Sequence, residues 1–193
     1  KDKMKRANIS TAKYIVVADK NDIDLTGFKF PVVVKPSDCN SSKGVKKIEA
    51  NGEVISAVEE ALLLSRSKTA IIEEYIDGFE ISVDAFVTNG KSKVLLITKS
   101  EKIRNTNGFT ITQSKYPVDL SDNIMQEVET ISQSICNSFN ISEGPLLIQM
   151  IVSENSVYVI EFSSRMGGGT KYKLIHVLTG FNIMKAYVDL VTG

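Results

Sequence analysis

Apolar residues recur along the chain in two periods, and the change from one to the other divides it into strands and helices. Residues 31–36 read PVVVKP, a β-branched strand closed by a lysine and a proline that cannot continue a ladder. Shorter strands are expected at residues 14–17 and 45–48, longer ones at 69–76 (TAIIEEYI) and 79–87 (FEISVDAFV). Thr88-Asn89-Gly90-Lys91 predicts a type I′ hairpin into a strand over 94–98, because Asn-Gly supplies two positive φ angles. Residues 51–66 follow a helical period, with Val54, Ile55, Val58, Ala61, Leu62 and Leu63/Leu64 on or near one face. Residues 121–139 do the same through Ile124, Met125, Val128, Ile131, Ile135 and Phe139, with Asp122 and Glu127 near the positive end of the helix dipole. A last helical pattern, 172–191, is interrupted at Gly180, and the charged residues 1–9 predict only a short surface helix. Residues 99–116 contain Asn107-Gly108 and show no sustained period; they are expected as a loop over the site or an ordered excursion.

The most informative stretch is 145–170, PLLIQMIVSENSVYVIEFSSRMGGGT. Two apolar runs, 146–152 and 157–162, flank a polar loop, and each contains one polar side chain, Gln149 and Glu161. With a three-residue loop at 154–156, Ser153 pairs with Val157, and on that register Gln149 stands directly opposite Glu161. Two oxygen donors then converge, which suits a hard divalent cation such as Mg²⁺. Ser163 returns to the same face two residues on and offers a third oxygen. Arg165 supplies a planar cationic fork for phosphate, and Gly167, Gly168 and Gly169 allow close backbone approach to a ligand. Together these predict a nucleoside triphosphate site.

Composition narrows the picture. The 193 residues are 42% hydrophobic, enough for one domain or two small lobes, and 23 Lys+Arg balance 23 Asp+Glu. No basic field is available for nucleic acid or an anionic membrane. Cys39 and Cys136 form neither a CxxC pair nor a disulfide framework, and no apolar run approaches a membrane span, so a cytoplasmic setting is expected. The chain begins with Lys1 and stops at Gly193 just after a helical pattern, as a piece of a longer polypeptide would.

Other candidates read two ways. Lys35 is either a snorkelling strand-end lysine or a phosphate cation. Residues 37–44, SDCNSSKG, are either a solvated loop or a phosphate cover; the GxxxxGK[ST] spacing is absent. Glu73, Glu74 and Glu80 bracket a bend at Gly78, facing solvent or forming a hinge whose backbone meets adenine while Glu80 accepts ribose hydroxyls. His176, among Leu174, Ile175, Val177 and Leu178, is expected to be a packed structural histidine, and nothing near Cys39 marks it as a nucleophile.

The order VVVKP, a small-residue loop ending KGV, EEYIDGFEISVDAF, IQM, then EFSSRMGGG resembles the ATP-grasp fold of carboxylate–amine and carboxylate–thiol ligases, on the branch of carbamoyl-phosphate synthase and biotin carboxylase. The resemblance spans essentially the whole chain. It implies an α+β fold of two lobes, each an antiparallel sheet with helices: a small lobe, 1–76, and a large lobe, 77–193, with ATP between them. Lys3 and Lys35 resemble the family's phosphate-binding cations, and Ser41, Ser42, Lys43 and Gly44 its mobile loop. Glu73, Glu74, Tyr75 and Ile76 resemble the adenine hinge and Glu80 the ribose acid. Gln149, Glu161 and Ser163 resemble the ligands of Mg²⁺ (Mn²⁺ as an alternative), with Arg165 and Lys35 as the catalytic cations. Ser163 stands where the family commonly has asparagine, and the phosphate loop has fewer glycines than usual. The implied chemistry is phosphorylation of a small-molecule carboxylate to an acyl phosphate, which an amine then attacks. The alternatives are a biotin carboxylase-like carboxylase or a nucleotide-binding module without ligase activity. The implied partners are those substrates and an N-terminal lobe of the same polypeptide; for a further copy of the chain, a homodimer is the base-rate expectation.

Overall fold

The structure is a computed structural model that describes residues 1–102 and 109–193. Its element order is α1 (Asp2–Arg6), β1 (Tyr14–Val17), β2 (Val32–Pro36), β3 (Lys46–Ile48), α2 (Val54–Leu64), β4 (Ala70–Glu74), β5 (Phe79–Thr88), β6 (Lys91–Lys102), β7 (Ile111–Lys115), α3 (Asp122–Phe139), β8 (Gly144–Ser153), β9 (Ser156–Ser163), α4 (Lys171–Thr179) and α5 (Ile183–Thr192). This is the expected α+β architecture with two antiparallel sheets, one of order β1-β4-β2-β3 and one of order β7-β6-β5-β8-β9.

In the four-stranded sheet, β2 lies between β4 and β3, and Pro36 falls at its last position, beyond the three residues that pair with β3. The missing N–H therefore removes nothing from that ladder. Helix α2 covers one face through Val54, Ala57, Val58 and Ala61, which meet Val32, Val34, Ala70 and Ile72. The expected stripe was wider. Ile55 and Leu63 are exposed, because an 11-residue helix resting on a narrow sheet buries a single stripe.

In the five-stranded sheet, Ile81, Val83, Ala85 and Val87 of β5 and Leu146, Ile148, Met150 and Val152 of β8 share one apolar face with α3. Helix α3 is capped at its start by the Ser121 hydroxyl, which accepts from the Ile124 N–H, and ends on Asn140 in the left-handed conformation, φ 56. Its buried side is Ile124, Val128, Ile131, Ser132, Ile135 and Cys136, and Met125 lies outside it. Burial pushes the Cys136 thiol above its ordinary value. The Asn89-Gly90 turn forms as expected, with φ 51 and 74 and Thr88 opposite Lys91. The tail splits into α4 and α5 at Gly180, φ 72. Among the described residues no single helix is long and apolar enough to cross a membrane; α4 and α5 would qualify only as a pair, and they meet at a 106° bend.

The chain divides into two compact units: Lys1–Thr11 with Asp77–Ser100 and Ser114–Gly193, and Ala12–Ile76 with Glu101–Gln113. The expected small lobe of 1–76 is thus corrected at its start. Met4 and Ile9 are each 4% exposed in the core beneath the five-stranded sheet, and burial of such side chains stabilises by about 1.5–3 kcal/mol apiece. Further along, the Val159 N–H donates to the Ser10 carbonyl at 2.8 Å and the Thr11 hydroxyl to the Val159 carbonyl at 2.9 Å, covering the free edge of β9. In the region 99–116 the second alternative, an ordered excursion, is the one that forms over the described residues. Strand β6 continues to Lys102 and β7 occupies Ile111–Lys115, all five residues exposed; the Asn107-Gly108 pair lies outside the described residues.

Candidate functional site

Strand alternation turns Glu80, Ser82 and Asp84 to the face of β5 opposite the apolar core, yet they are only 8%, 5% and 1% exposed. Beside them on β6, Thr98 pairs with Ser82 and Ser100 with Glu80. The hydroxyls of Thr98 and Ser100 are buried and have no hydrogen-bond partner among the described residues. On the other flank, Ser82 faces Gln149 of β8, and Gln149 faces Glu161 of β9. A row of polar side chains therefore crosses four strands at one level.

The Gln149–Glu161 pairing forms by a route different from the one expected. The turn is one residue shorter, with Ser153 opposite Ser156, Val152 opposite Val157 and Met150 opposite Val159. The register then shifts, so that Gln149 meets Glu161 and Ile160 is the extra residue of a β-bulge. The two differences cancel at this pair. The bulge also reverses the faces. Val157 and Val159 are buried in the core, and without the extra residue Glu161 would share their side; instead Glu161 is exposed and Phe162 packs on the core against Phe139, ring centroids 4.7 Å apart. Ser163 follows on the Glu161 face, opposite Leu147.

Gln149 Nε2 donates to Glu80 Oε1 at 2.9 Å. This uses the nitrogen of the amide and leaves its oxygen as an acceptor. With Glu161 and Ser163 it makes an all-oxygen donor set with one charged carboxylate, the chemistry that Mg²⁺ takes. Among the described residues no three His, Cys, Asp or Glu side chains converge, so a cation at this place would rely on amide and hydroxyl oxygens beside Glu161.

Sequence reasoning passed over Asp84, Ser82 and the true place of Lys171. The Gly167 N–H donates to Asp84 Oδ1 at 2.8 Å, and Lys171 Nζ donates to Ser82 Oγ at 2.7 Å. Lys171 Nζ also lies 3.3 Å from Asp84 Oδ2, an oxygen that makes no hydrogen bond among the described residues; the contact is an ion pair without hydrogen-bond geometry. Its side chain is 14% exposed, not solvated as an ordinary surface lysine is. The sequence signal was weak, since Glu80, Ser82 and Asp84 alternate with apolar residues as the solvent-facing side of a strand would. Arg165 is exposed and spends one N–H on the Met166 carbonyl at 3.0 Å, leaving its other donors to the outside.

Lys3 is not brought to this row. Its ammonium sits over the Phe139 ring, 4.6 Å from the centroid, among the helices on the other face of the sheet. His176 is corrected as well: it is exposed, because the nine residues of α4 bury Ile175 and, in part, Lys171 and Leu174 and turn the rest outwards.

The remaining candidates belong to the second unit. Lys35 Nζ bonds Glu73 Oε1 at 2.6 Å, with side chains 15% and 9% exposed. Strand pairing sets this contact, since Glu73 stands opposite Val33 and Lys35 lies two residues along on the same face. In the hinge segment, the Glu74 N–H donates to the Lys13 carbonyl and the Tyr75 N–H to the Pro31 carbonyl, while Glu74 Oε1 accepts from the Lys29 N–H. Lys47 lies over the Tyr75 ring at 4.3 Å, and Ile76 is half-buried. In the expected phosphate loop Ser41 and Ser42 are left-handed, both at φ 56, and the Ser42 hydroxyl donates to the Phe109 carbonyl at 3.1 Å. Lys43 is exposed, and Cys39 Sγ approaches the Leu64 carbonyl at 3.5 Å.

Gly44 closes that loop at φ +74, where a Cβ would fall 2.6 Å from Leu64 Cδ1 and 3.0 Å from Pro36 Cγ. Replacing it by alanine combines a left-handed penalty of about 1–2 kcal/mol with a displaced leucine. Urea denaturation of Gly44→Ala is expected to show a loss of about 2 kcal/mol, and an unchanged midpoint would contradict this loop conformation.

Comparison with known proteins adds three findings. A family model for the ATP-grasp domain matches residues 28–173. The carbamoyl phosphate synthase large chain of Caldanaerobacter subterraneus subsp. tengcongensis is 30% identical over 199 residues, an alignment that covers 98% of this chain and 18% of that protein. Among solved structures, the L-amino acid ligase from Bacillus licheniformis superposes with a TM-score of 0.82 at 20% identity, over 97% of this chain and 44% of that one. The biotin carboxylase–β,γ-ATP complex from Campylobacter jejuni gives 0.81 at 16% identity, over 96% and 43%. The two superpositions speak for the fold alone. The chain spans less than a fifth of the length of the curated synthases it matches, 18% for that of Caldanaerobacter subterraneus subsp. tengcongensis.

Proposed function

This chain belongs to the ATP-grasp family, and from that premise we propose that it binds Mg-ATP and takes part in phosphorylating a substrate carboxylate for attack by an amine. The observation that carries the reading is the polar row Glu80–Gln149–Glu161, laid across an otherwise apolar sheet with the Gln149 oxygen left over. Two buried hydroxyls without partners among the described residues, on Thr98 and Ser100, continue that row, and a buried unmatched hydroxyl costs about 1–3 kcal/mol unless a ligand or water meets it.

Gln149, Glu161 and Ser163 would hold Mg²⁺, which neutralises phosphate charge when bound. Glu80 would accept from the ribose, and residues 73–76 would meet the base. Lys35 keeps two of its three N–H donors beyond Glu73 and would direct them at phosphate, as would the outward donors of Arg165. The exposed backbone of Gly168 and Gly169 would seat the transferred phosphoryl. A carboxylate oxygen forms a bond to the γ-phosphorus while the bond to the bridging oxygen breaks and ADP leaves. The amine nitrogen then bonds the acyl carbon, inorganic phosphate departs with the bonding pair, and the nitrogen gives up a proton to solvent. No activated side-chain nucleophile is needed, so the work of the protein is alignment and charge stabilisation.

The test is calorimetry with a non-hydrolysable ATP analogue, with and without Mg²⁺, followed by ADP formation by the full-length protein with a panel of amino acids and with bicarbonate. Magnesium-dependent binding and carboxylate-dependent ADP release are expected. ADP release that requires bicarbonate alone would move the reading to a carboxylase. Binding with no acceptor-dependent release would leave a nucleotide-binding module.

A further inference from the structure

We propose that Asp84 is a positioning residue that presets the glycine turn for the phosphoryl group, an inference that rests on the function proposed above. Asp84 is 1% exposed, and its two oxygens hold the two ends of one short segment: Oδ1 takes the Gly167 N–H at 2.8 Å, and Oδ2 lies 3.3 Å from the ammonium of Lys171, the first residue of α4. Lys171 is fixed a second time by the Ser82 hydroxyl at 2.7 Å, and Ser82 stands opposite Gln149. One carboxylate thus pins the residues on either side of Gly168, Gly169 and Thr170 to the strand that borders the donor row.

The glycines in that segment have different reasons to be there. At Gly167 a Cβ would fall on Asp84 Oδ1 itself and 2.9 Å from its Cγ, so this position is required by the clamp. At Gly168 a Cβ would meet nothing within 4 Å and φ is not left-handed, so neither packing nor backbone conformation demands glycine. The bare backbone there leaves room for a group arriving from outside to approach closely. A buried ion pair is by itself a weak source of stability, since desolvation offsets the attraction. Here it fixes geometry instead. Donors held in place before charge develops stabilise a transition state without reorganising, and that is what a clamp on both sides of an exposed turn provides.

The experiment compares binding of Mg-ADP alone with Mg-ADP plus aluminium fluoride, a mimic of the phosphoryl group in transfer, by calorimetry on the full-length protein. Wild type is expected to bind the fluoride complex at least about tenfold more tightly, as transition-state analogues do. Asp84→Asn keeps an oxygen for Gly167 but not the charge for Lys171, and Asp84→Ala keeps neither. Both are expected to lose most of the tightening, alanine more than asparagine, while affinity for Mg-ADP stays within about threefold because the nucleotide contacts are elsewhere. Gly168→Ala, whose side chain points into open space, is expected to lose the tightening with an unchanged melting temperature. Asp84 variants that tighten like wild type while Gly168→Ala does not would overturn the role of Asp84 and keep the turn as the seat. Equal losses for both ligands in Asp84→Asn would reduce the residue to a structural one and also overturn the proposal. Absence of tightening in wild type would remove the phosphoryl-transfer reading, and the positioning role with it.

Discussion

Glu161→Ala is expected to lower carboxylate-dependent ADP formation by about a thousandfold, with a far smaller loss of affinity for an ATP analogue. Glu161 supplies the only formal negative charge among Gln149, Glu161 and Ser163, so its loss removes most of the attraction for Mg²⁺ at the moment charge moves between phosphate oxygens. Affinity is less affected because the base, ribose and other phosphates are assigned to residues 73–76, Glu80, Lys35 and Arg165. The side chain is exposed, and truncation of an exposed side chain usually changes stability by no more than about 0.5 kcal/mol. A rate loss in this variant therefore cannot come from unfolding. Steady-state kinetics with a matched thermal melt checks this, and an unaltered rate would remove Glu161 from the metal site.

Gly167→Ala carries the largest expected effect on the fold. The new methyl would displace the Asp84 carboxylate, which is 1% exposed and held on its other side by Lys171. Overpacking of this kind costs about 1–3 kcal/mol, and the charged hydrogen bond to the Gly167 N–H contributes about 1.5–3 kcal/mol more. A net loss of about 3 kcal/mol corresponds to a fall of about 10 °C in melting temperature for a chain of this size. Gly168→Ala, one residue on, should melt with wild type. Two adjacent glycines with opposite responses are what the clamp predicts; equal responses would mean that the Asp84–Gly167 contact does not form.

Much of the fold was legible because its elements follow a period. PVVVKP, the Asn89-Gly90 turn and the 121–139 helix each combine a hydrophobic period with a specific end signal, and each appears where the pattern put it. What failed lacked such a signal or depended on distant contacts. Strand β7, ITQSK, is exposed along its whole length and so has no apolar alternation to read. The docking of Lys1–Thr11 depends on Met4, Ile9 and two hydrogen bonds with the backbone of Val159, one to the Ser10 carbonyl and one from the Thr11 hydroxyl, more than a hundred residues away. His176 is surrounded by apolar neighbours in sequence, but a short helix turns two of the four outwards with it, and Val177 is 79% exposed.

Within the candidate row, Gln149 and Glu161 were visible as polar residues inside apolar runs. Asp84 lacked that mark, because Glu80, Ser82 and Asp84 alternate with apolar residues as a solvent-facing side would, and its partners, Gly167 and Lys171, lie more than eighty residues on. Lys3 shows the converse. A likeness in sequence order placed it near phosphate, whereas the ring of Phe139 holds its ammonium on the other side of the sheet.

The bulge at Ile160 separates β9 into two half-strands with different tasks, one that fills the interior and one that presents chemistry. Their residues obey opposite parity rules: Val157 and Val159 count inwards on odd numbers, and Glu161, also odd, counts outwards. In aligned chains of this architecture, an acid in phase with the interior valines should therefore mark a hairpin with an inserted residue, while an acid out of phase should mark one without. Phase, rather than the acid alone, becomes the property to search for, and substitutions in the two halves are free to accumulate independently.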